Sequence, residues 1–148
     1  EIKLRTTFLV GFPGETQEDH KALCRFVKQA KFDRVGVFEY SHEEGTRGYV
    51  LEDDVPAEVK KQRAEEIMAI QQYISLAHNE AMIGKTLKVL IDRKEGGQYV
   101  GRSEYDSPEV DNEIWIDQTD KKLTPGSFVM VLITGASDYD LKGIPITK

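Results

Sequence analysis

Leu4-Arg5-Thr6-Thr7-Phe8-Leu9-Val10-Gly11-Phe12-Pro13-Gly14-Glu15-Thr16 is a β-branched, apolar run that stops at a glycine-proline turn and leads straight into a helix start. The run predicts a buried strand over Leu4 to Val10. Thr16 suits an N-cap, with Asp19 three residues on as a shortened capping-box partner. Leu23, Phe26, Val27 and Ala30 then recur at helical spacing, which predicts an amphipathic helix over Gln17 to Lys31. Arg34 to Tyr40 (RVGVFEY) reads as a second strand, so the first 40 residues form strand, helix, strand with a crossover, the unit of parallel sheets and α/β barrels. Such a unit cannot cover both of its faces alone, and exposed strand edges are expected unless other chain covers them.

Outward from this unit, Ser41 to Asp54 is polar, and Pro56 opens a long helix predicted to reach about Met82. Val59, Arg63, Ile67, Ile70, Ile74, Ala77 and Ala81 trace its expected inner face, while Lys60, Lys61, Glu65, Glu66 and Gln71 mark the solvent side. After Gly84 the texture changes. Thr86 to Arg93, Gln98 to Ser103, Glu113 to Asp117, Ser127 to Thr134 and Tyr139 to Ile146 are short strand-like runs between glycine, proline and acidic turns, the pattern of a small closed barrel. The expected fold class is α/β plus all-β, with residues 1–83 forming an incomplete α/β segment and its connecting helix, and residues 84–148 a five-stranded barrel.

Composition narrows the function classes. Apolar residues make up 39% and charged residues 31% of the 148, and no apolar run is long enough to cross a bilayer. A net charge of −6 disfavours indiscriminate binding to phosphate backbones and makes a basic protein the easier partner. One cysteine, Cys24, forms no internal disulfide, and with no export signal a cytoplasmic location is expected. Glu1 runs into a strand without an initiator Met, which places the expected natural start upstream.

Gly11 to Thr16 lies where α/β folds place ligands, at the C-terminal end of a strand and the start of a helix. Gly11 would let a flat ring or ribose approach the backbone, and the helix-start N–H groups would accept an anion. The alternative is an ordinary turn using Gly and Pro for geometry, since neither GxxxxGK[ST] nor GxGxxG is present. Phe38 and Tyr40 end the second strand on the same mouth. Glu43 and Glu44 are read as solvated loop carboxylates without a catalytic role. Cys24 reads as a packing residue, and His20, His42 and His78 show no ligand spacing, so no metal site is expected. From Ser103 to Asp120 there are seven acids and no Lys or Arg, the reverse of a face built for RNA. By composition alone a solvated acidic loop and a binding surface both remain open.

TTFLVGFPGETQED, VFEYSHEEGT and the all-β remainder together resemble the radical S-adenosylmethionine methylthiotransferases over essentially the whole chain. The first resembles that family's fifth barrel strand and turn, the second its sixth strand and following loop, and the remainder its TRAM domain, an OB-like barrel. GRSEYDSPEVDNEIWI and ASDYDLKG are similar to the branch that modifies an aspartate on the twelfth protein of the small ribosomal subunit. The tRNA-modifying branch usually lacks the PEVD run. Lys142 departs from the protein-modifying branch, which usually has Trp before that glycine.

The resemblance implies a C-terminal part of a radical S-adenosylmethionine TIM-like barrel followed by a TRAM barrel. It implies S-adenosylmethionine and two 4Fe-4S clusters as cofactors of a full-length parent, whose cluster cysteines are absent here, so no catalytic residue is expected in this fragment. Val10, Gly11, Phe38 and Tyr40 become candidate walls of the S-adenosylmethionine pocket. Glu109, Asp111 and Glu113 become candidates for meeting the basic ribosomal protein. The alternatives are a tRNA methylthiotransferase fragment and a stand-alone OB-like binding module, and an upstream CxxxCxxC would dispose of the last.

Overall fold

The computed structural model describes residues 2–108, 111–117 and 122–146. The chain forms two compact units, Glu1–Ile74 and Ser75–Lys148.

In the first unit, β1 (Arg5–Val10) and β2 (Arg34–Glu39) form a two-stranded parallel sheet joined through α1 (Gln17–Ala30). The register pairs Leu9 with Phe38 and Val10 with Glu39. Because side chains alternate across a strand, Leu9 and Phe38 share one face and Val10 lies on the other. Val10 is fully buried, whereas Leu9 and Phe38 are exposed. No third strand joins either edge among the described residues. The core beneath the sheet is Cys24, Val27 and Ile67, with Phe8, Leu23, Val35, Val37, Ile70 and Ile74 packed around it.

The capping box forms as expected: Thr16 Oγ1 accepts the N–H of Asp19 at 3.2 Å and the Asp19 carboxylate accepts the N–H of Thr16 at 2.9 Å. The buried face of α1 is His20, Cys24 and Val27. Phe26, expected inside, is half exposed, its ring set edge-on to Phe8 and Phe32 at the margin of the core.

The long helix α2 (Ala57–Glu80) begins one residue after Pro56, whose carbonyl accepts from Lys60 N at 3.0 Å. Its buried seam is Lys60, Arg63, Ile67, Gln71, Ser75 and Asn79. Lys60 and Gln71, expected on the solvent side, are therefore inside. Lys60, Arg63 and Gln71 each donate to a partner, which offsets part of the cost of removing them from water. Lys60 Nζ donates to both Asp53 oxygens at 2.7 and 2.8 Å, Arg63 to Glu15, and Gln71 Nε2 to the Phe32 carbonyl at 2.9 Å.

The second unit is a closed barrel of β3 (Thr86–Glu95), β4 (Gln98–Ser103), β5 (Glu113–Ile116), β6 (Phe128–Ala136) and β7 (Asp140–Pro145). The ring runs β3-β4-β5-β7-β6, antiparallel at every seam except the parallel pair β5 and β7. All five expected strands are present, and the closure is OB-like. Val89, Ile91, Tyr99, Ile114, Ile116, Leu123, Val131, Ile133 and Leu141 fill the interior. Two glycines permit tight crossing: a Cβ on Gly101 would lie 2.4 Å from the Leu90 carbonyl oxygen, and one on Gly143 2.8 Å from that of Leu132. The end of α2 belongs to this unit because Asn79 Nδ2 donates to the Ser137 carbonyl and its Oδ1 accepts from Asn112 Nδ2, both at 2.8 Å.

Candidate functional site

At the C-terminal end of the two parallel strands the structure brings together Gly11, Glu15, Tyr40, Asp53, Lys60 and Arg63. Gly11 has φ +76°, and a Cβ there would fall 2.3 Å from Lys60 Cγ, so the position is closed by the lysine stem rather than open to a ring. The Gly11 N–H donates to Glu15 Oε2 at 3.0 Å and the Gly14 N–H to Asp54 Oδ1 at 2.8 Å. With Asp19 taking the Thr16 N–H, carboxylates of the chain itself occupy these amides, so the turn does not present them to an outside anion. Asp19 is held below its ordinary value, first by the Thr16 hydroxyl and then by the Thr16 N–H.

Of the four candidate pocket walls, Val10 is buried and its carbonyl accepts from Tyr40 N at 2.8 Å. Tyr40 is buried edge-on to Phe12 (5.1 Å) and beneath the Lys60 ammonium (5.0 Å from the ring), its hydroxyl 3.3 Å from His42 Nδ1. Phe38 alone keeps a free face, 63% exposed, and shares the uncovered side of the sheet with Leu9. Leu9 was missed in the sequence, although its pairing with Phe38 follows once the strand register is known. Glu43 accepts from Ser41 Oγ and Glu44 from Tyr49 OH at 3.4 Å, both within the loop.

On the barrel, strand alternation turns Ile114 and Ile116 inward and leaves Glu113 and Trp115 outside. Glu113 is not a free carboxylate: Arg93 bridges it through two N–H groups at 2.6 and 3.0 Å. Glu113, then Glu95, push the Arg93 pKa further up and keep it charged. Asp111 accepts from Ser107 N at 2.7 Å, and Glu109 lies outside the described residues. Lys142, opposite Trp115 in the register, lines with it a cleft of about 460 Å³ completed by Gln98, Ala136, Ser137 and Asp140. Burial pushes the Asp140 carboxyl above its ordinary value, opposed by the Glu113 N–H and reinforced by the charges of Glu113 and Asp138. A second, shallower hollow carries Lys88, Leu90, Arg102, Glu104 and Phe128, with Lys88 Nζ 4.5 Å above the exposed Phe128 ring.

Although the sequence spacing pointed to no metal site, one cluster among the described residues brings possible donors together. His20 and Cys24, one helical turn apart on α1, meet Glu66 of α2. His20 Nε2 lies 2.8 Å from Glu66 Oε2 and 3.5 Å from Cys24 Sγ. The i, i+4 spacing of His20 and Cys24 was the available signal, but nothing in the sequence placed Glu66 beside them.

Residues 83–146 match the TRAM domain family. Over 99% of this chain, the ribosomal protein uS12 methylthiotransferase RimO of Christiangramia forsetii is 53% identical, with 32% of its own length covered. The RimO proteins of Flavobacterium johnsoniae and Thermoanaerobacter sp. are 52% and 50% identical over 97% and 95% of the chain, again across about a third of theirs (33% and 32%). Along nearly its whole length the chain is similar to proteins named ribosomal protein uS12 methylthiotransferase. It spans about a third of the length of these relatives. Both units are included, since the similarity runs from the β-α-β segment through the barrel. Among the described residues no helix is long and apolar enough to cross a membrane.

Proposed function

We propose that this chain forms part of an enzyme that methylthiolates the β-carbon of an aspartate on uS12, the twelfth protein of the small ribosomal subunit, by radical S-adenosylmethionine chemistry. The observation that carries this reading is the similarity of about half the residues over 99% of the chain to proteins named for that modification. In this reading the β-α-β segment is the last part of a larger barrel, and the uncovered face with Leu9 and Phe38 turns toward the cofactor. Phe38 suits packing against a flat ring. Val10, Gly11 and Tyr40 support that face from behind, because their side-chain positions and the amide of Gly11 are already engaged. When bound, S-adenosylmethionine would supply the hydrogen-abstracting group. Iron–sulfur clusters do not fit this chain, whose one cysteine packs against His20, so their ligands would lie in other parts of such a protein.

The barrel would dock the basic substrate protein through the segment from Glu104 to Asp117. Asp111 and Asp117 are candidates within it, and the charge of Glu113 is matched by Arg93. Charge reversal at Asp111 and Asp117, tested by binding to purified uS12 at low salt, should weaken the complex, and the difference should fade as salt rises. Unchanged affinity would sink the docking role. A second reading, contact with RNA, rests on Phe128, an exposed ring of the kind that stacks on bases, with Lys88 over it, in a hollow that also carries Glu104 and Asp106. RNA retention by the chain with a steep salt dependence, lost in F128A, would favour it.

A further inference from the structure

We propose that His20, Cys24 and Glu66 form a binding site for one zinc-class divalent cation. The three side chains are the donor types that zinc takes, and their donor atoms all lie within 4.8 Å of one another. With metal–nitrogen, metal–oxygen and metal–sulfur bonds of about 2.0 to 2.3 Å, donors around a tetrahedral ion sit about 3.3 to 3.8 Å apart. The His20 Nε2 to Cys24 Sγ separation of 3.5 Å already falls there, and the 2.8 Å from His20 Nε2 to Glu66 Oε2 needs to open slightly. Glu66 has the freedom to make that adjustment because its side chain is 53% exposed, while His20 and Cys24 are fixed in the packed interface of α1 and α2.

Charge selects the class of ion. A thiolate and a carboxylate with a neutral imidazole sum to two negative charges, which a divalent cation cancels in a partly buried place. Sulfur and imidazole donors favour zinc or cobalt over magnesium or calcium. In the metal-free protein, burial first and the Glu66 charge second push the Cys24 thiol up, so it carries its proton. On binding, the sulfur–hydrogen bond is replaced by a sulfur–metal bond and the proton leaves to solvent. Glu66, at the surface, gives the ion its way in and leaves a fourth position for water.

The polar contacts of the His20 ring are both made by Nε2, to Glu66 Oε2 and to Cys24 Sγ, so the ring already presents one nitrogen to the other two donors. An ion there would tie α1 to α2 by coordinate bonds.

The test uses Co²⁺ and Zn²⁺ alone with the 148-residue chain. Cys24 is its single cysteine, so a thiolate-to-cobalt charge-transfer band reports this site and no other. We expect that band, visible absorption typical of a four-coordinate ion, its loss on adding Zn²⁺, and persistence in excess Mg²⁺. Cys24→Ser should abolish the band. Glu66→Gln, a surface change that leaves the core intact, should weaken Zn²⁺ binding by about tenfold or more. A chain with its full helical circular dichroism but no thiolate–cobalt band would overturn the proposal, as would E66Q binding as tightly as the parent.

Discussion

Arg63 of α2 and Glu15 of the turn before α1, 48 residues apart, form a part-buried ion pair in which a guanidinium nitrogen lies 2.6 Å from Glu15 Oε1. The other carboxylate oxygen takes the Gly11 N–H, and the same guanidinium nitrogen donates to the Glu15 carbonyl at 3.1 Å. The pair therefore holds the turn after β1 to α2.

Removing one partner leaves the other charged and partly buried, so Arg63→Ala should cost about 2 kcal/mol of stability. The double variant E15L/R63M, which removes both charges, should cost less than R63A. Urea midpoints for the three proteins check the ordering, and an R63A midpoint equal to the parent's would contradict it.

Gly101→Ala should destabilise the barrel by about 3 kcal/mol, because the new Cβ would meet the Leu90 carbonyl, backbone that the ring closure holds in place. Gly36→Ala is the contrast. Its Cβ would sit 3.5 Å from Thr7 Oγ1, an ordinary contact, and the change should fall within about 0.5 kcal/mol of neutral. Thermal melts of both variants test the difference between two glycines that look alike in the sequence.

Asn79→Leu should cost about 2 kcal/mol, since it removes one hydrogen bond to the buried Asn112 amide and one to the Ser137 carbonyl. Loss of protection at barrel amides, followed by hydrogen exchange, would place the damage in the second unit. Protection identical to the parent's would mean that the amide chain contributes nothing to the barrel.

The Asp140 carboxyl, ordinarily near 3.8, is raised in the folded state by burial. Between its unfolded and folded values the unfolded chain holds fewer protons, so this group lowers stability as pH rises through that window, and the loss is complete above the folded value. Asp140→Asn keeps the acceptor for the Glu113 N–H and removes the charge. It should stabilise the protein at neutral pH and lose that advantage at pH about 3, where the native carboxyl is also neutral. Denaturation at the two pH values decides it.

Local order along the chain was legible where local chemistry sets it. The strand-helix-strand start, the Thr16 capping box and the five barrel strands follow from periodicity, capping residues and turn glycines. The inner face of α2 was not, because the polar identity of Lys60 and Gln71 argues for solvent, and partners off the helix, Asp53 and the Phe32 carbonyl among them, make their burial tolerable. Pairing across the chain was equally hidden. Glu113 read as an available carboxylate until β3 brought Arg93 to it, and Gly11 read as an opening until Lys60 filled the space its missing side chain leaves. Donors such as His20, Cys24 and Glu66 combine only through helix packing, which spacing alone does not reveal.

The parallel seam between β5 and β7 bears on how the barrel is made during translation. β3 and β4 are joined by a tight connection and can pair as soon as both have left the exit tunnel, whereas β5 waits for a neighbour separated from it by the whole of β6. Until Asp140–Pro145 has been synthesised, the nascent sheet keeps β5 and β6 open at its two edges. Slow docking of β7 after the chain emerges would thus prolong the interval in which those edges can pair with another chain.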